Sequence, residues 1–229
     1  NVSEGRWWDG RPDIYTMAIA TPGSQNIVSV QNSAPALNTI GSRTSNEMTS
    51  FTFMVSAVDT DTPPQRLLFS LGAGAPAGAA INPTNGVFTW TPGEEDGPGT
   101  NLVTIRVTDN GWTNKADEEV VSLVVDEVNR APTMNPVADL FLEPGSLLIL
   151  ALSATDPDIP ANDFVFSVDP GHPAGAEVGG DGVFRWEPSD AQASTTNTIT
   201  LRVTDSGSPA LTDTEDFVVD VGSLAQLFT

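Results

Sequence analysis

The chain has no cysteine, so disulfides, thiolate metal sites and cysteine nucleophiles are all excluded. It has one histidine, His172 in "DPGHPAG", and one lysine, Lys115. A Ser-His-Asp triad would have to use that one imidazole, and no Gly-x-Ser-x-Gly elbow is present. There is no Gly-x-Gly-x-x-Gly and no phosphate loop with a lysine. No apolar run approaches the ~18 residues that a membrane-spanning helix needs. Basic residues are scarce: nine against thirty acidic ones, for a net charge of -21. Such a surface repels nucleic acid and anionic lipid and favours divalent cations and basic partners. The first residues, "NVSEGRWWDG", carry neither methionine nor a signal-peptide core, as expected of a processed chain or a fragment of a longer one.

Turn formers are abundant, with 20 glycines and 18 prolines, and they punctuate an internal duplication. "NSAPAL" at Asn32 matches "NRAPTM" at Asn129, 97 residues on. Asp59 and Asp61 match Asp156 and Asp158, and "FSLGAGAPAGA" from Phe69 matches "FSVDPGHPAGA" from Phe166, at the same offset. "GVFTWTP" at Gly86 then matches "GVFRWEP" at Gly182, and "TIRVTDNG" at Thr104 matches "TLRVTDSG" at Thr200, both 96 residues on. The expected organisation is repeat one over 32–128, repeat two over 129–222, an N-terminal segment 1–31 and a tail 223–229. The acidity belongs to the repeat: residues 32–128 hold 12 acidic and 4 basic residues, residues 129–222 hold 15 and 3. His172 falls opposite Ala75, as a loop residue would.

The expected fold class is all-β, two tandem Greek-key sandwiches after a short N-terminal β segment. Val103, Ile105 and Val107 alternate with Thr104, Arg106 and Thr108, and Ile199, Leu201 and Val203 repeat the pattern with Thr200, Arg202 and Thr204. Period two puts one face in a core and one in water. Phe51, Phe53 and Val55 read alike, while "SLLILAL" at Ser146, apolar on both faces, reads as a central strand. Trp90 and Trp186, at matched places beside Phe88 and Phe184, read as core residues. "DIYTMAIATPGSQNIVSVQ" reads as a hairpin turning at Pro22-Gly23, either the remnant of a preceding domain or an arm that pairs with another chain. Trp7 and Trp8 read as packing residues, with sugar stacking the alternative.

Each repeat carries acidic landmarks: an Asp-x-Asp loop (Asp59/Asp61, Asp156/Asp158), a Val-Thr-Asp-x-Gly strand end (Asp109, Asp205), and, at the junction "VVDEVNRAP", Asp126, Glu127 and Asn129. Asp and Pro alone make ordinary turns. Repetition of matched carboxylates favours a hard cation, because calcium takes six to eight oxygen ligands and a bare cluster of acids repels itself. Paired carboxylates also serve glycoside hydrolysis, but recurrence at identical places in both copies suits a structural role better than one cleft.

The ordered series Asn-x-Ala-Pro, Ala-x-Asp-x-Asp, Gly-Val-Phe-x-Trp-x-Pro, Val-Thr-Asp-x-Gly and Val-Val-Asp resembles cadherin-like repeats. More narrowly it resembles the dystroglycan-type cadherin-like or immunoglobulin-like tandem repeats of bacterial surface and secreted proteins. The resemblance implies a seven-strand sandwich with calcium at the seam between repeats. Carried over, the seam would use Asp126, Asn129, Asp156, Asp158 and Asp205, with Glu47 and a residue of "GEED" (Glu94 to Asp96, Glu95 at its centre) contributing. Asp59, Asp61 and Asp109 would form an upper site, whose linker "SVQNSAP" brings no acid. Val128 and Arg130 interrupt the run of Asp and Asn that a cadherin linker carries, and Arg130 sets a positive charge beside the seam. The expected function is a non-enzymatic, extracellular adhesive or spacer module stiffened by calcium, with protein partners or copies of itself bound through edge strands. The alternatives are a subunit of an extracellular filament, sheath or surface layer assembled through residues 1–31, and a glycan-binding appendage of a secreted hydrolase. Nucleic acid and membrane insertion are not expected.

Overall fold

The computed structural model describes residues 32–222, together with the backbone of Ser3–Gly5 and Tyr15–Met17. Those two short strands, β1 and β2, pair antiparallel, Glu4 opposite Thr16. The hairpin expected at Pro22-Gly23, Trp7, Trp8 and the tail 223–229 lie outside the described residues. The strands that follow are β3 (Ala36–Leu37), β4 (Arg43–Asn46), β5 (Phe51–Met54), β6 (Ala57–Val58), β7 (Leu68–Leu71), β8 (Ala80–Ile81), β9 (Val87–Trp90), β10 (Gly99–Thr108) and β11 (Ala116–Asp126). After them come β12 (Thr133–Met134), β13 (Leu140–Leu142), β14 (Leu148–Ala151), β15 (Ala154–Thr155), β16 (Phe164–Val168), β17 (Glu177–Val178), β18 (Val183–Trp186), β19 (Thr195–Asp205) and β20 (Thr212–Val221). Single 3-10 turns stand at Glu94–Asp96 and Asp190–Gln192.

Two compact units divide the described chain. The first takes in the stretch up to Gly41, Thr52–Thr89 and Val103–Val121; the second takes in Ser42–Phe51, Trp90–Leu102 and the chain from Ser122 onward. In the first unit β7 runs antiparallel to the end of β10, Phe69 opposite Val107, and β8 pairs with β9, Ile81 opposite Phe88. Val103, Ile105 and Val107 are fully buried, as their alternation predicts. Phe53 stacks on Phe88 with ring centroids 4.7 Å apart.

The second unit contains a complete sandwich. One sheet has the order β13-β20-β19-β16 and faces a smaller one ordered β14-β18-β17, with β12-β15 alongside. The long hairpin β19–β20 sets Ile199 opposite Phe217 and Leu201 opposite Glu215, so Ile199, Leu201 and Val203 enter the core. β13 joins β20 in parallel, Phe141 opposite Asp220, and β16 pairs with β19, so two of the three neighbouring pairs join strands that are not consecutive in sequence, as a Greek key requires. Trp186 is 1% exposed and its indole N–H donates to the Ala174 carbonyl at 3.2 Å. Phe184 meets Phe217 edge to face at 5.7 Å. In the same unit Phe51 stacks on Trp90 at 5.6 Å, and β4 joins the end of β11 in parallel, Asn46 opposite Asp126.

"SLLILAL" corrects an expectation. β14 lies at the edge of its sheet, with Leu147 56% and Ile149 57% exposed. Only alternate residues of the run, Leu148, Leu150 and Leu152, pack on the core, because a two-layer sandwich covers one face of each sheet.

Much of the acidity is structural. In the first unit Asp117 accepts the Leu37 N–H at 2.8 Å and Glu119 accepts that of Ile40 at 3.0 Å. In the second, Asp213 accepts the Met134 N–H at 2.9 Å and Glu215 that of Val137 at 3.3 Å. These residues correspond pairwise between the copies. Each acid caps backbone donors where the entering strand breaks and changes partners, groups that would otherwise lack an acceptor.

The Gly-Val-Phe motif has a backbone cause. Gly86 sits at φ +69, and a Cβ there would lie 2.3 Å from the Val55 carbonyl oxygen. Gly74, at φ +84, has open space around it. Gly86→Ala is expected to destabilise the fold by about 3 kcal/mol or more, from strain and overlap together, and Gly74→Ala by only about 1 kcal/mol, from strain alone. Chemical denaturation of both variants checks this; equal losses would refute the steric account.

Candidate functional site

The landmark loops are built by the same lattice in each copy. In the first unit Asp59 Oδ1 accepts the Asp61 N–H at 2.9 Å, and Asp61 Oδ2 accepts from the Ser33 N–H and the Gln65 amide, both at 2.8 Å. The Gln65 amide also reaches Asn32 Oδ1 at 2.6 Å, and the Asn32 amide donates to Asp109 at 3.1 Å. Asp109 Oδ1 accepts the Gly111 and Lys115 N–H groups, both at 3.0 Å. In the second unit Asp156 Oδ1 accepts the Asp158 N–H at 2.9 Å, and Asp158 Oδ2 accepts from the Arg130 N–H and the Asn162 amide, both at 3.0 Å. Asn129 accepts from Asn162 at 3.1 Å and donates to Asp205 Oδ2 at 3.1 Å and to the Pro209 carbonyl at 2.8 Å. Asp205 Oδ1 takes the Gly207 and Leu211 N–H groups at 3.0 and 2.9 Å.

This lattice explains the glycine of Val-Thr-Asp-x-Gly. A Cβ on Gly207 would lie 1.6 Å from Asn129 Oδ1, and one on Gly111 would lie 2.1 Å from Asn32 Oδ1. Burial raises the Asp205 carboxyl, but the Leu211 N–H, the Asn129 amide and the Gly207 N–H more than offset it and leave its pKa lowered.

Beside the second lattice, within the second unit, three more carboxylates converge. Glu47, Glu94 and Glu127 each bring an oxygen within 4.8 Å of the others. The chain positions them from three directions. Glu47 follows β4, where its own N–H donates to the Asp126 carbonyl at 3.0 Å. Glu94 opens the 3-10 turn after β9, and Glu127 leaves the end of β11. Glu47 is 1% exposed; its Oε1 accepts only a long bond from the Val128 N–H, 3.4 Å, and its Oε2 has no partner. Both oxygens of Glu127 are buried without a partner, as are Asp156 Oδ2 and Asp158 Oδ1. Desolvation raises the Glu47 pKa, opposed by the Val128 N–H and reinforced by the charges of Glu94 and Asp158, with Arg130 opposing. Desolvation also raises Glu127, with Glu47, Glu94, Asp158 and Asp156 adding to it. Glu94 Oε2 lies 3.5 Å from Arg130 Nη1, and its Oε1 accepts the Ile159 N–H at 3.3 Å.

The residues expected at the seam thus separate. Glu47, Asp156 and Asp158 stand with unpaired oxygens at the cluster. Asn129 and Asp205 are tied up in hydrogen bonds. Asp126 and Glu95 are exposed and stand outside the three-carboxylate group. Strand parity is the reason for Asp126: Val121, Leu123 and Val125 point inward, so Asp126 points out and Glu127 turns in. Continuing that alternation by one step would have found Glu127 in the sequence. Glu94, not Glu95, is the residue of "GEED" that reaches the cluster. Gln65 and Asn162 were missed, though each stands four residues past its Asp, at the repeat offset of 97. Of the upper set, Asp59, Asp61 and Asp109 share the first lattice, where Asp59 Oδ2 and Gln65 Oε1 are buried without a partner.

The described fold is similar to the β-sandwich of cadherin-like and immunoglobulin-like domains. Residues 34–125 match the family model described as "Putative Ig domain". Over 122 residues, 49% of the chain, the sequence is 34% identical to mouse Protocadherin Fat 4, of whose length it spans 2%. Among solved structures, extracellular cadherin domains 1-5 of Protocadherin Gamma B2 align at TM-score 0.61 and 20% identity, over 84% of this chain and 41% of that one. Mouse Cadherin-23 EC22-24 aligns at TM-score 0.56 and 18% identity, over 83% and 65%. Human Protocadherin-24 EC1-2 aligns at 0.54 and 17%, over 83% and 99%. No helix among the described residues is long and apolar enough to cross a membrane.

The raised carboxyls have a signed consequence. A carboxyl whose folded pKa exceeds its unfolded value favours folding while protonated. With divalent ions removed, that contribution is complete below the ordinary value of 4.5 and is lost as pH rises through the raised pKa of Glu47 and Glu127. Glu47→Gln, in chelator, is expected to raise the melting temperature relative to wild type at pH 7 and to leave it nearly unchanged at pH 4. Melting curves at both pH values check this; a variant that melts lower at pH 7 would contradict it.

Proposed function

We propose that the chain is a non-enzymatic, extracellular adhesive or structural module of two repeats, 32–128 and 129–222, whose junction is stiffened by calcium. The observation that carries the reading is Glu47, a buried carboxylate with an unpartnered oxygen, set against Glu94 and Glu127 with Asp156 and Asp158 alongside. An isolated buried charge is costly, and a buried acid keeps its charge when it is paired or binds a metal. The donor set suits a hard cation, being carboxylate oxygen throughout with no nitrogen or sulfur, and calcium accepts more such ligands than magnesium, with looser geometry. Glu47, Glu94, Glu127, Asp156 and Asp158 would hold the ion, which would supply positive charge against their mutual repulsion.

These residues come from four separate stretches of chain: the turn after β4, the 3-10 turn after β9, the linker after β11 and the loop after β15. Holding the four together restricts the linker 127–130. The Arg130 N–H bond to Asp158 and the Val128 N–H bond to Glu47 already draw that linker to both sides. An ion that binds only the assembled arrangement stabilises it by mass action. The likeness to extracellular cadherin domains supports a place outside the cell and a role in adhesion, with copies of the chain or protein partners meeting exposed sheet edges.

Saturating calcium is expected to raise the melting temperature by several degrees over chelator and to narrow the range of particle dimensions in small-angle scattering. Glu47→Gln is expected to remove most of both responses. Identical melting and scattering with calcium and with chelator would refute the stiffening.

A further inference from the structure

The geometry points to Arg130 as an internal counter-ion of the calcium site, one that weakens calcium binding and holds the carboxylate cluster to a single ion. This rests on the calcium reading above. The oxygens around the linker fall into two groups. On one side, Glu47 Oε2, both Glu127 oxygens, Asp156 Oδ2 and Asp158 Oδ1 are buried with no partner, and Glu47 and Asp158 are each more than nine-tenths buried. On the other, both Asp205 oxygens accept hydrogen bonds, from Asn129, Gly207 and Leu211, and the Asn129 amide is spent on Asp205, Pro209 and Asn162. Unsatisfied acceptors call for a cation, and satisfied ones would have to give up their donors to take one. The unpaired oxygens therefore belong to Glu47, Glu127, Asp156 and Asp158, and not to Asp205.

Arg130 is placed to act on the first group. Its backbone N–H donates to Asp158 Oδ2, which ties its backbone to the Asp-x-Asp loop. Its guanidinium, 52% exposed, reaches Glu94 at 3.5 Å, and its charge opposes in small part the desolvation that raises the Glu47 carboxyl. Five carboxylates against one guanidinium leave four net negative charges rather than five, which reduces the attraction for every cation after the first. Glu94 is the shared group. A calcium ion must compete with Arg130 for it, and the half-exposed guanidinium can swing into water when it loses.

The test is calcium titration of the full chain by calorimetry, with native mass spectrometry to count ions. Arg130→Gln is expected to bind calcium about tenfold more tightly, the order expected when a unit charge is removed close to a divalent ion in a partly solvated site. Arg130→Lys, which keeps the charge, is expected to stay within about threefold of wild type. The number of ions lost in Glu47→Gln is expected to be one, and Asp205→Asn is expected to leave the count unchanged. Wild-type binding with unchanged affinity in Arg130→Gln, or loss of two or more ions in Glu47→Gln, would overturn this inference and leave the calcium reading standing. Binding in Arg130→Gln but not in wild type would support the role of Arg130 and overturn calcium stiffening of the native chain. Binding in neither would overturn both.

Discussion

The repulsion among Glu47, Glu94, Glu127, Asp156 and Asp158 is the constraint around which this part of the chain is organised. Their burial is set by neighbours that serve the sandwiches. Glu47 is drawn inward because β4 joins β11 in parallel, Asn46 beside Asp126, and the next residue bonds back to the strand end. Glu127 is drawn inward by the parity of β11. Asp156 and Asp158 are held by a loop whose other bonds fix Arg130 and Asn162. The fold thus assembles acids where water cannot fully solvate them, and the cost appears as raised carboxyls and unpaired oxygens. Arg130 offsets part of it from within.

Most of the thirty acids have nothing to do with this cluster. Asp117, Glu119, Asp213 and Glu215 cap the donors left where the first strand of each copy changes sheets. Asp169 and Asp181 pair with Arg202 and Arg185 at the surface. Such exposed pairs add little to stability. A net charge of -21 is therefore a poor guide to ion binding in this chain. The unpaired buried oxygen is the better one, because it marks an acid that the protein itself has not satisfied.

The β-sandwich architecture was legible in the sequence, because period-two alternation and a 96- or 97-residue repeat are direct consequences of strands packing on one face. Ile199, Leu201 and Val203 needed nothing beyond their spacing. "SLLILAL" misled because periodicity alone cannot say whether a second layer covers both faces of a strand. The site was half legible. Asp156 and Asp158 carry a local motif, and Glu47 came from the family pattern. The family pattern carries over Asp126 and leaves out Glu127, whereas the decision lies in which side of β11 each residue faces. Glu94 and Glu95 are neighbours in a turn with no periodicity to separate them, so only coordinates distinguish the one that reaches Arg130.

Comparison of the two copies separates what the loop needs from what the ion needs. The lattice of Asn, two Asp, a second amide, a third Asp and a glycine without room for Cβ is present in both, at Asn32–Asp59–Asp61–Gln65–Asp109–Gly111 and at Asn129–Asp156–Asp158–Asn162–Asp205–Gly207. It closes the loops through the protein's own donors, because Asp61 and Asp158, like Asp109 and Asp205, act as acceptors for backbone N–H groups. The first Asp of each loop, Asp59 and Asp156, keeps one buried oxygen unpaired in both copies, whereas of the second Asp residues only Asp158 does. What the second copy adds is a set of acids, Glu47, Glu94 and Glu127, delivered from residues that precede it. Duplication of the loop supplies a half-built site, and the sequence just upstream of each copy decides whether it is completed. On the calcium reading, Asn-x-Ala-Pro alone does not mark an ion site, and the acid immediately before it, Glu127 here, is part of what would complete one.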